Sequence, residues 1–232
     1  MQLPTIIEGM DFEVYLKDPA PDPSLSSSTI KALLTTAPRK VWLKNPRLNP
    51  DAEPENKTIF DLGEAAHRFF TGTGRPVVEI NAPDFRTKAA KDARDAAYAD
   101  NKTPLLKVNA ERARVMADAA IEQVRDNPEL SEIFAPGKEA ELLREPTMLW
   151  IEGGVTHRCR PDFYHPRTNT IIHYKTTGTA IWPSTLAKYA ANSGWDYTAA
   201  HYEAGARALT GYKPRQFFVV QETDAPHLLL VA

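Results

Sequence analysis

The stretch Cys159-Arg160-Pro161-Asp162-Phe163, followed by Thr170-Ile171-Ile172-His173-Tyr174-Lys175-Thr176-Thr177, constrains this 232-residue chain more than any other. Val155 to Phe163 and Thr170 to Thr176 read as two short strands, the second β-branched and aromatic around His173 and Lys175. Between them His165-Pro166-Arg167-Thr168-Asn169 has turn composition, so the pair predicts a β-hairpin with a loop of moderate length. A side-chain period of two puts Arg158, Arg160 and Asp162 on alternate positions of one strand. It also puts His173 and Lys175 on one face of the other. Strand pairing then brings Asp162 up beside them. A carboxylate, an imidazole and an ammonium group near a sheet edge form a chemical constellation rather than ordinary core. The bland alternative is that Asp162 and Lys175 form a structural ion pair.

Composition narrows the class. With 42% hydrophobic and 25% charged residues the chain can bury one sizeable core. Mean hydropathy is −0.42, and no apolar run approaches the roughly 18 residues of a membrane span. The start, Met1 to Met10, lacks the basic n-region and apolar h-region of a signal peptide, so a cytoplasmic protein is expected. A net charge of −2 argues against a globally basic nucleic-acid binder, yet leaves room for a local basic channel beside an acidic metal site. Cys159 is the single cysteine. That rules out a disulfide framework, a cysteine-rich zinc site or a four-cysteine iron–sulfur cluster within this chain.

Residues 1–24, rich in Pro, Asp and Ser, are expected to form an extended arm with one short strand or turn, and residues 25–232 a single domain. Ser26, Ser27 and Ser28 offer N-cap oxygens to a helix carrying Ile30, Leu33 and Leu34 and ending before Pro38. Arg39, Lys40, Trp42, Lys44 and Arg47 then mix basic and aromatic groups, either as a solvated helix or as a DNA-backbone contact surface. A proline-rich loop is expected over 45–57, then a helix over 59–70 with Glu64 and His67 three apart on one face. Further helices are expected over 85–100, 109–127 and 195–209, the last capped by Gly211. Extended pieces are expected near Val77–Ile80, over 141–151, and at Arg215–Gln221 and His227–Val231.

The pair Pro161-Asp162, with Lys175 thirteen residues on, resembles the PD-(D/E)xK nuclease superfamily. There a Pro-Asp is followed on the neighbouring strand by an acid-x-Lys. Leu62-Gly63-Glu64-Ala65-Ala66-His67 resembles the Leu-Gly-x-x-x-His helix of its RecE-like, phage-type exonucleases. Tyr197 to Tyr202 resembles their Gln-Ala-Ala-x-Tyr helix, with Tyr202 matching and Thr198 standing where the glutamine would be. The departure of most consequence is His173, which occupies the place of the second acid.

The resemblance implies an α/β (α+β) fold with a restriction-endonuclease-like core, a small mixed sheet flanked by helices. It implies metal-dependent exonuclease action on linear double-stranded DNA ends, feeding phage-type recombination, in a bacterial or phage-encoded cytoplasmic protein. By the same resemblance Asp162 and His67 bind the metal, His173 is an altered ligand, and Lys175 is the catalytic lysine. Glu64, Arg160, Thr198 and Tyr202 assist. The cofactor is Mg²⁺ or Mn²⁺, with imidazole ligation tilting preference toward Mn²⁺. The implied partners are DNA ends, a single-strand annealing protein and further copies in a ring, with no membrane. The alternative is a nuclease-like module that has lost catalysis and kept its DNA-binding cleft.

Overall fold

The computed structural model describes residues 2–52 and 61–232. The end of the expected 45–57 loop and the expected helix start at Ile59 and Phe60 lie outside the described residues. β1 (Thr5–Ile7) is followed by α1 (Phe12–Leu16), whose N-cap Asp11 accepts from the backbone N–H groups of Glu13 and Val14. β2 (Ser24–Leu25) runs into α2 (Ser27–Thr35), capped by the Ser26 hydroxyl accepting from Thr29 N–H. α3 (Pro38–Leu43) starts on a proline, whose fixed φ suits a first helical turn.

α4 (Asp61–Thr71), β3 (Val77–Ile80), α5 (Lys88–Ala99), β4 (Thr103–Leu106) and α6 (Lys107–Asp126) come next. β4 has no sequence signal of its own, because its four residues include Pro104. It pairs parallel with β3, Val77 opposite Thr103. Then follow β5 (Leu143–Arg144), β6 (Thr147–Glu152), β7 (Val155–Cys159), β8 (Phe163–His165) and β9 (Thr170–Thr177). α7 (Pro183–Ser193), α8 (Trp195–Thr210), β10 (Arg215–Glu222) and β11 (Leu229–Val231) complete the order. α8 ends at Gly211 with φ +80°, the left-handed closure that glycine adopts without strain.

One strand expectation is corrected. Val155 to Phe163 is two strands, not one, broken over 160–162. Pro161 has no N–H to give a ladder and restricts the residue before it. β7 therefore pairs with β6, while β8 pairs with β5 and β9. Asp162 sits in the short link where the chain changes partners.

The chain forms two compact units, one of Met1–Asn56, Ala140–His173 and Trp182–Phe217, the other of Lys57–Glu139, Tyr174–Ile181 and Phe218–Ala232. In the first, a mixed sheet runs β1-β6-β7-β2, antiparallel except for the parallel β2–β7 pair. Residues 1–24 thus supply one edge strand, a helix and the start of the opposite edge strand. The core gathers Met148, Trp150, Cys159, Tyr164, Ile171 and Ala206, with Ile6, Leu143, Tyr202 and Leu209 packed around it. α8 packs on β6 and β7 and comes closest at Gly205, where an added Cβ would meet the Trp150 ring at 2.8 Å. Asp18, at φ +62°, binds Arg158 at 3.0 Å and both the N–H and hydroxyl of Ser24, which pins the loop before β2.

In the second unit α4 packs on α6 through Ala65, Ala66, Ala110, Ala113 and Met116, with Leu105 of β4. Small residues on both helices let the backbones approach closely. β10 and β11 pair antiparallel, Val219 opposite Val231. Among the described residues no helix is long and apolar enough to cross a membrane.

Candidate active site

Three residues of the first unit occupy matching positions on neighbouring strands. β5 and β8 pair with Arg144 opposite Phe163, and β8 and β9 with Phe163 opposite Ile172. One residue further along the same registers come Glu145, Asp162 and His173. The first step is confirmed by the backbone: Glu145 N–H donates to the Asp162 carbonyl at 3.0 Å. Register-matched residues of antiparallel strands share a face. A carboxylate oxygen of Glu145 and one of Asp162 accordingly lie within 4.8 Å of each other.

Glu145 was not singled out from the sequence. It lies seventeen residues before Asp162 in a stretch that reads only as the approach to a strand. Its backbone takes φ +46°, unusual for a glutamate, and its side chain is 8% exposed. A buried carboxylate needs a partner. Arg160 supplies it, with Nη2 at 2.7 Å and Nε at 3.2 Å from Glu145 Oε2. The Arg160 guanidinium also donates through Nη1 to the Met10 carbonyl and lies over the faces of Phe12 and Tyr15.

His173 is buried. Gln216 Nε2 donates to the Ala199 carbonyl at 2.9 Å, which turns its Oε1 toward His173 Nε2 at 3.2 Å. His173 Nε2 therefore carries the proton and donates. The ring packs against Tyr202 with centroids 5.0 Å apart. The Tyr202 hydroxyl donates to the Arg160 carbonyl at 3.2 Å, and burial pushes its pKa well above the ordinary tyrosine value. Thr198, which stands in the glutamine position of the helix motif, donates to the Gly194 carbonyl one turn back in its own helix. The glutamine in contact with α8 is Gln216, from β10. Burial likewise pushes the Cys159 thiol far up, so it stays protonated and inert.

In the second unit α4 lies along the end of β9. Gly63, His67 and Phe70 form one helical stripe. An added Cβ on Gly63 would meet Thr176 Oγ1 at 2.7 Å, the His67 ring lies 6.1 Å from that of Tyr174, and Phe70 lies 4.8 Å from Tyr174. The glycine of Leu62-Gly63 is thus a packing requirement. His67 is presented beside the segment that carries Lys175, whose Nζ donates to the Tyr174 carbonyl at 3.0 Å. Glu64 turns another way, accepting from the Thr103 hydroxyl of β4 at 3.2 Å.

Two oxygen donors at this spacing suit a hard divalent cation, whose opposite ligands stand about 4 to 5 Å apart. The Glu145–Asp162 pair would hold such an ion, which when bound would supply Lewis-acid chemistry. A mixed sheet flanked by helices, with a Pro-Asp at a strand junction, defines a restriction-endonuclease-like core. The chain belongs to the family of PDDEXK-like domains of unknown function (DUF3799), whose model matches residues 26–229. A crystal structure described as a "putative exonuclease" from Eubacterium rectale is similar in fold, with a TM-score of 0.60 at 16% identity, covering 96% of this chain and 77% of that one. No curated protein matches the chain in sequence.

Proposed function

We propose that this protein is a metal-dependent DNA nuclease in which Asp162 and Glu145 supply the carboxylate ligands, His67 a further ligand and Lys175 the catalytic ammonium. The observation that carries the reading is the Glu145–Asp162 pair, with carboxylate oxygens within 4.8 Å. It returns to the site the second acid that the sequence lacks at position 173. Membership of the PDDEXK-like family and the exonuclease-like fold support the same conclusion. A bound Mg²⁺ or Mn²⁺ would polarise the phosphodiester and lower the pKa of a coordinated water.

The chain's own groups have distinct roles. Asp162 and Glu145 give hard oxygens, and Arg160 holds Glu145 in place through two hydrogen bonds. Lys175 places positive charge against the phosphate as negative charge builds on it. His173, held as a donor to Gln216, orders the link that carries Asp162 rather than replacing the missing acid.

The substrate we infer is linear duplex DNA, degraded stepwise from its ends as in the RecE-like exonucleases. Arg39, Lys40 and Lys44 of the exposed α3 region are candidates for backbone contact. Assembly into a ring, a single-strand annealing partner, and a bacterial or phage cytoplasmic setting belong to the same reading. The test is incubation of linear and circular duplex with wild type, Asp162→Ala and Glu145→Ala in Mg²⁺ or Mn²⁺. Cleavage of the linear form by wild type alone is expected. Undiminished cleavage by Asp162→Ala overturns the site. Duplex binding without cleavage in any divalent ion would favour the non-catalytic DNA-binding module.

A further inference from the structure

Arg160 does more to Glu145 than neutralise it. Nε and Nη2 both donate to one oxygen, Oε2, at 3.2 and 2.7 Å. Two charge-assisted bonds occupy the lone pairs of that oxygen. The guanidinium is fixed on its other sides, by the Met10 carbonyl at 2.9 Å and by the rings of Phe12 and Tyr15 at 5.6 and 5.5 Å. Both side chains of the pair are under 10% exposed, so water does not compete for these bonds. A cation that drew Oε2 toward itself would have to break both hydrogen bonds.

We propose that Arg160 determines which divalent cation the centre accepts: by holding Oε2 it confines Glu145 to ligation through Oε1 alone. This rests on the reading above, in which Glu145 is a metal ligand. The consequence follows from coordination chemistry. Mg²⁺ and Mn²⁺ accept single carboxylate oxygens in an octahedron. Ca²⁺ favours six to eight oxygens at longer distance and commonly takes both oxygens of a carboxylate. A glutamate limited to one oxygen therefore discriminates against Ca²⁺. Arg160 is a positioning residue, and the α1 segment, which contributes no ligand, becomes part of the centre's selectivity because it holds Arg160.

Charge and geometry separate cleanly. The guanidinium repels every divalent cation, and for Mg²⁺ and Ca²⁺ of equal charge it does so to nearly the same extent. Removing it raises both affinities together by Coulomb's law and leaves their ratio unchanged. A change in the ratio reports the freed oxygen.

The experiment is calorimetric titration of the full chain with MgCl₂, MnCl₂ and CaCl₂ at fixed ionic strength. The proteins are wild type, Arg160→Met, Arg160→Lys, Glu145→Gln and the double variant Arg160→Met/Glu145→Gln. Arg160→Met is expected to shift the Ca²⁺:Mg²⁺ affinity ratio toward Ca²⁺ by roughly ten-fold or more, the scale at which groups behind a metal ligand act. Arg160→Lys, a compact donor without the fork, shifts it less in the same direction. In the Glu145→Gln background the Arg160→Met shift vanishes. If Arg160→Met does not fold, the Lys variant carries the test. A ratio unmoved in the folded variants, with Mg²⁺ still bound, overturns the inference and leaves the metal reading standing. A wild type that binds no divalent cation overturns both.

Discussion

Glu145 and Asp162 are joined twice, by a backbone hydrogen bond of 3.0 Å and by carboxylate oxygens within 4.8 Å. The backbone bond fixes the strand register, and the register brings the carboxylates to one face. The Glu145 carboxylate should therefore matter to a cation independently of the backbone bond. Glu145→Gln keeps the N–H that donates to the Asp162 carbonyl and removes only the charge of the ligand, so it should weaken Mn²⁺ binding by about ten-fold or more while the fold is kept. Calorimetric titration with Mn²⁺ beside a thermal melt checks this. Unchanged Mn²⁺ affinity in a folded Glu145→Gln protein would show that this acid does not serve the ion.

Lys175→Ala should lower cleavage of linear duplex by about 10²-fold or more while cation binding persists, as expected for loss of one charge that stabilises the transition state. Mn²⁺ titration beside a cleavage assay separates the two. Normal cleavage would leave Lys175 a purely structural residue.

His173→Asp replaces a donor to Gln216 with a carboxylate facing that amide oxygen and register-matched to Asp162. Without metal the variant should lose roughly 1–3 kcal/mol, the usual penalty for a buried group whose partner is lost. Mg²⁺ should restore the melting temperature more than it raises that of wild type, because the added oxygen is a hard ligand. Unfolding followed with and without Mg²⁺ decides it. A loss that no divalent ion reverses would assign His173 to the core alone.

His201 should set an acid limit on stability. It is buried against the rings of Trp150 and His157, at 4.8 and 5.4 Å, with Nε2 at 3.0 Å from the Arg158 carbonyl. Burial pushes its pKa down to about 4, outweighing the upward pull of that carbonyl. The unfolded chain, with an ordinary histidine near 6.5, binds the proton more readily in the window between. Stability is therefore full above about pH 6.5 and falls as pH drops toward about 4, by up to about 3 kcal/mol. Thermal melts of wild type and His201→Gln across this range should differ in slope, the variant being flatter. Parallel slopes would exclude His201 as the cause.

Gly205→Ala should destabilise the first unit by about 1–3 kcal/mol, since the new methyl would enter the Trp150 ring at 2.8 Å. The loss should shrink in a Trp150→Phe background, where the smaller ring gives way. Equal losses in both backgrounds would place the strain elsewhere.

The sequence by itself determined the elements whose signals are local. Ser26 caps α2 and Gly211 closes α8 because those interactions involve only a few neighbouring residues. The alternation in Thr170–Thr177 marked β9, and Leu62-Gly63 with His67 marked α4 through a stripe that needs a small residue against Thr176. Tertiary structure decided what depends on pairing. Pro161 splits a seemingly continuous strand, so Asp162 takes Glu145 as its neighbour, a residue seventeen positions earlier with no motif of its own. Glu64 and Thr198 were named through the motifs they sit in, and which partners they take was set by the fold: Glu64 accepts from the Thr103 hydroxyl and Thr198 donates to the Gly194 carbonyl. Gln216 reached His173 from a strand the helix motif does not contain. Periodicity fixes which face of an element a residue occupies, but which strands meet at that face depends on long-range burial, and the second acid of the candidate centre comes from there.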